Sequence, residues 1–107
     1  MAMIQEWNES EFQANVNSPA VLVDFFAVWC GPCKMMMKLL EKAAADLDEQ
    51  TVKIAKIDIE KCPELAAQFD VRTVPTFVFF KNGEVQTTLI GVQSLNALNE
   101  ALRKIME

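Results

Sequence analysis

The chain has 107 residues, 51% hydrophobic and 23% charged, which is enough for one folded domain over residues 1–107 and excludes both a disordered chain and a two-domain protein. A formal net charge of -5 without any basic cluster argues against a nucleic-acid partner, because affinity for phosphates comes largely from cationic side chains that displace counterions. No apolar run approaches the roughly 20 residues of a membrane helix, and Met1 to Trp7 lack the basic-then-apolar order of an export signal, so a cytoplasmic protein with no membrane partner is expected.

Asn8 with Glu11 three positions later forms a capping box, predicting a short helix that ends near Ser18-Pro19. Ala20 to Ala27 is apolar on both alternating faces except at Asp24, as a central strand covered on both sides requires. A second helix is predicted from about Cys33 to about Gln50, with Met36, Met37, Leu40, Ala44 and Leu47 as its apolar stripe. Val52 to Asp58 reads as another strand. Pro63 to Phe69 reads as a short helix with proline in its first turn. Thr76 to Lys81, Asn82-Gly83 and Glu84 to Ile90 predict a hairpin with a type I′ turn, and Ser94 caps a last helix carrying Leu95, Leu98, Leu102 and Ile105. The order βαβ and then ββα implies an α/β domain, parallel in its first half and a hairpin in its second.

Cys30-Gly31-Pro32-Cys33 lies between the first of these strands and the second helix. Across a helix start, thiols at that spacing can open and close a disulfide with little backbone movement. Cys30, just before the helix, gains anion stabilisation from unpaired N–H groups and the helix dipole, and is the expected nucleophile; Cys33, in the first turn, is the expected resolving thiol. A zinc site is disfavoured because there is no histidine and only one further cysteine, Cys62, so no metal is expected. A purely structural role is also disfavoured, since so short a loop restrains the unfolded chain little. Asp24, a carboxylate among apolar strand residues, should have a raised pKa and be able to carry protons near the thiols. Lys56 shares a strand face with Val52 and Ile54 by period two, although a lysine readily snorkels to solvent.

The run Val23 to Lys34, Val74-Pro75-Thr76, Phe80 to Val85 and Gly91 resemble the thioredoxin family in order and spacing, over nearly the whole chain. A Cys-x-x-Cys pair beside a βαβ pattern is itself a signature of that family. The resemblance implies the thioredoxin fold, a central mixed sheet of about five strands flanked by four helices. It implies a protein-disulfide reductase working by reversible Cys30–Cys33 exchange, with Asp24 assisting proton transfer, Lys56 modulating Asp24, and Gly31 and Pro32 tuning the potential. It also implies that Val74-Pro75 is a cis bond facing the thiols, and that Trp29, Val74, Pro75, Gly91 and Val92 form the substrate surface. For Trp29 core packing stays open as an alternative, and for Gly91 a plain turn.

By the same resemblance no cofactor is bound, and a monomer exchanges electrons with thioredoxin reductase and with targets such as ribonucleotide reductase, peroxiredoxin and methionine sulfoxide reductase. Two other readings remain, an oxidase or isomerase of the same fold, or a redox-independent binding module. Lys38 departs from the proline that many family members carry in this helix, which predicts an unkinked helix. Lys34, Lys38 and Lys42 read as a solvated face, and Met36 and Met37 as core filler. Cys62 precedes Pro63 at a predicted helix start; it is either an incidental thiol or a regulatory thiol with a lowered pKa.

Overall fold

In the computed structural model, which describes residues 2–107, nine elements follow in the order β1(Ile4–Glu6), α1(Glu9–Asn15), β2(Ala20–Phe26), α2(Gly31–Ala45), β3(Lys53–Asp58), α3(Pro63–Gln68), β4(Thr76–Lys81), β5(Glu84–Ile90) and α4(Leu95–Met106). Met1, the first residue of the expected domain, lies outside the described residues. The strands form one mixed sheet in the order β1-β3-β2-β4-β5. β1, β3 and β2 run parallel, while β4 and β5 pair antiparallel, so the crossover half and the hairpin half meet at β2.

Period-two alternation sends each strand's side chains to opposite faces. Leu22, Ile54, Phe77 and Phe79 face α2 and α4, where they pack on Met36, Leu40, Leu98 and Leu102. Val21, Val23, Phe25, Ala55 and Phe80 face α1 and α3 around Phe12 and Leu65. Burial on both faces explains the near-continuous apolar reading of β2, which is buried along its length except at half-buried Phe26. Asp24 follows the parity of Leu22 and therefore belongs to the α2/α4 face.

Local signals set most boundaries. Both halves of the capping box form, with Glu11 N donating to Asn8 Oδ1 at 2.8 Å and Asn8 N donating to Glu11 Oε1 at 3.0 Å. At the hairpin, φ is 52° at Asn82 and 84° at Gly83, as a type I′ turn requires. A Cβ on Gly83 would collide with Asn17 Oδ1, so the turn needs glycine for space as well as for conformation.

Four details differ from the sequence expectation. β1 is absent from the strand pattern read along the chain, because three residues are too short to show alternation; backbone pairing with Ile54 to Lys56 defines it. α1 stops at Asn15, whose side-chain Nδ2 donates to Glu11 O at 2.8 Å, short of the expected Ser18-Pro19. α2 starts at Gly31 rather than Cys33, with Cys30 as N-cap and Pro32 in the first turn. It ends at Ala45 rather than near Gln50, because Asp48 draws the chain into a local turn through Gln50 N at 2.9 Å and Thr51 Oγ1 at 2.8 Å. The helix runs unbroken through Lys38.

Candidate active site

β2 ends at Phe26, and the turn that follows delivers Cys30 to the amino end of α2. Cys30 and Cys33 form a disulfide, with Cα atoms 5.3 Å apart. Cys30 is the helix N-cap, and its sulfur accepts a hydrogen bond from Cys33 N at 3.1 Å. When the bond is reduced, the same N–H and the helix dipole act on whatever charge Cys30 carries. Both sulfur residues are 4% exposed and pack against Ala27, Phe26, Ile59 and Val74.

The Val74–Pro75 bond is cis and places the Val74 carbonyl oxygen 3.7 Å from Cys30 Sγ. Pro75 O accepts from Gly91 N at 2.8 Å, which joins this loop to the turn after β5. Gly91 has φ of 84°, a conformation that an L side chain resists. Gly31 has ordinary φ, and a Cβ there would meet nothing within 4 Å, so the space beside it is open.

Trp29, at 66% exposure, and Val92, at 55%, stand out from the surface, which excludes the core-packing alternative for Trp29. Val28 and Ile90 are also exposed, although nothing in their sequence context marks them. Single apolar residues at strand ends leave little trace in a one-dimensional pattern. Their exposure is visible only in three dimensions.

Asp24 is fully buried, and neither of its carboxylate oxygens has a hydrogen-bond partner. Its strand neighbours are Lys56 on β3 and Phe77 on β4. Burial pushes the carboxyl up to about 7 from an ordinary 3.8, against a smaller opposing pull from the Lys56 ammonium. Lys56 is half-buried, with Nζ 5.3 Å from the Phe26 ring centroid, so its charge sits over an aromatic face. Lys56, Phe26 and Cys33 line one cleft of about 440 Å³, which Lys34 and Lys38 border.

Cys62 lies elsewhere, in the cluster between the sheet and α1/α3. Of its two readings, the incidental thiol fits better than the one with a lowered pKa: burial pushes the thiol up, and the carboxylates of Glu9, Asp58 and Glu6 push it further the same way. α3 has only six residues, and Cys62 makes no side-chain cap hydrogen bond there. Among the described residues no group of three or more His, Cys, Asp or Glu could hold a metal ion, and no helix is long and apolar enough to cross a membrane.

The Thioredoxin family model matches residues 3–104. The thioredoxin of Staphylococcus haemolyticus (strain JCSC1435) is 43% identical over 96 residues, which is 90% of this chain and 91% of that protein. The thioredoxin of Staphylococcus aureus is 41% identical over the same shares. Among solved structures, a thioredoxin from Malassezia sympodialis superposes with a TM-score of 0.89 at 30% identity, covering 100% of this chain and 94% of that one. A mutant thioredoxin from Halobacterium salinarum NRC-1 superposes with a TM-score of 0.86 at 33% identity, covering 97% and 90%.

Proposed function

This chain belongs to the thioredoxin family and is a thiol-disulfide oxidoreductase that reduces protein disulfides; from that premise we propose how its residues divide the work. Cys30 as thiolate attacks one sulfur of a target disulfide, forming a mixed disulfide and releasing the other target sulfur as thiolate. Cys33, deprotonated, then attacks Cys30 Sγ, which closes the Cys30–Cys33 disulfide and releases the second target thiolate. Two electrons pass to the target, and each released thiolate takes up one proton. Asp24 accepts the Cys33 proton, and Lys56 tunes how readily it does so. The observation that carries this reading is the Cys30–Cys33 disulfide at the start of α2, which follows a strand that carries a buried, unpartnered carboxylate.

Gly31 and Pro32 set the potential, and open space at Gly31 lets a partner backbone approach. Trp29, Val74, Pro75, Gly91 and Val92 form the surface on which the target lies. The protein works as a cytoplasmic monomer of one domain, without a bound cofactor. Thioredoxin reductase restores the dithiol, and ribonucleotide reductase, peroxiredoxin and methionine sulfoxide reductase represent the class of targets. With NADPH and a bacterial thioredoxin reductase, catalytic amounts should sustain NADPH oxidation upon addition of insulin. Absence of insulin-dependent oxidation, with the Cys30–Cys33 pair shown to be reduced, would count against the reductase direction.

A further inference from the structure

One part-buried contact crosses from the cysteine-bearing helix to the opposite wall of the site. Gln93 N donates to Met36 Sδ at 3.4 Å. Met36 is fully buried on α2, three positions after Cys33, and a thioether sulfur is a weak acceptor seldom used by a backbone amide. Gln93 folds its own side chain back over the turn, with Nε2 donating to Ile90 O at 3.0 Å and Gly91 O at 3.4 Å. Gly91 N in turn donates to Pro75 O, and the Val74 carbonyl faces Cys30 Sγ. The contacts therefore close a ring: α2, the 91–93 turn, the cis-proline loop and the nucleophile. The Met36–Gln93 bond is the link that ties the turn to α2.

We propose that Met36 and Gln93 are positioning residues for protein-disulfide reduction, fixing the Gly91–Val92 wall relative to Cys30 so that an extended target segment meets a preformed groove. The inference rests on the disulfide-exchange reading and assigns a specificity role within it. Neither residue touches the reacting sulfurs. Met36 supplies volume that leucine also supplies, but leucine offers no acceptor, so the Gln93 N–H would lose its partner and the turn its anchor. Loosening the wall weakens target docking and leaves sulfur exchange itself intact.

Met36→Leu should raise the KM for insulin about twofold to threefold, the low end of the range for losing one hydrogen bond because the thioether is a weak acceptor, with kcat retained. The Gln93 amide, read by hydrogen exchange in the reduced protein, should exchange faster by a similar factor while amides of α2 keep their protection. A folded Met36→Leu protein with unchanged KM, or a variant whose apparent kcat falls at unchanged KM as a loss of folded protein would give, overturns the proposal. Should that variant fail to fold, the unmodified protein decides: a Gln93 amide protected well above its free-peptide rate supports the tether, and one exchanging at that rate overturns it. Failure of the unmodified protein to reduce insulin at all would instead strike the functional reading.

Discussion

Cys30→Ser should lower insulin reduction by at least about a thousandfold, because a serine hydroxyl supplies almost no anion at neutral pH and cannot form the mixed disulfide. Cys33→Ser should behave differently. The first attack survives and the second is lost, so the variant should accumulate a covalent adduct with the target, one per chain, that dithiothreitol dissolves. Non-reducing electrophoresis or intact mass after incubation with a cystine-containing protein distinguishes the two. Cys62 retains its thiol in both variants, but burial and three nearby carboxylates push its pKa up, so its contribution should be small; a Cys62→Ser background removes it altogether. Equal adduct yields from both single variants would contradict the division of labour between the sulfurs.

Asp24→Ala should make the oxidised protein more stable at pH 8.5, by about 1 to 3 kcal/mol, while slowing turnover. The sign follows from linkage. A carboxyl at about 7 when folded and 3.8 when unfolded holds a proton in the native state across that interval, while the unfolded chain has released it. The native state therefore binds more protons, and stability falls as pH rises from about 4 to about 7. Above that window the folded protein carries a buried, unpartnered charge, partly offset by Lys56, and alanine removes it. Below pH 5 the acid is neutral, and the advantage of the variant should shrink. Urea melts of both proteins at pH 5 and pH 8.5 test this. A variant that is less stable at pH 8.5, or a difference unchanged between the two conditions, would contradict the buried-acid account.

Elements with strong local chemistry are legible in the amino-acid sequence itself. The capping box at Asn8, the Asn82-Gly83 turn and the Ser94 cap each specify a backbone conformation through a few adjacent residues, and each forms. Asp24 stands out because a carboxylate among apolar strand residues has no local reason to be there. What the sequence hides depends on contacts between distant positions. β1 exists through pairing with β3. The α2 boundaries differ from expectation because Cys30 caps the helix with its own sulfur and Asp48 pulls the chain out of it. Cys62 next to Pro63 leaves an incidental and an activated thiol both open in the sequence, and the carboxylates that weigh against activation come from β1, α1 and β3. The bond between Met36 and Gln93 spans 57 positions and joins two residue types that no motif pairs.

The rate of Cys30 alkylation as a function of pH bears most directly on the whole account. With the protein reduced and iodoacetamide limiting, the peptide containing Cys30 should be modified first, with a half-maximal rate well below the pH of about 8.5 typical of a free thiol, while Cys62 lags. A Cys30 that titrates near 8.5 and reacts no faster than an unstructured peptide thiol would mean that the amino end of α2 does not hold a sulfur anion, and the mechanism built on it would fail.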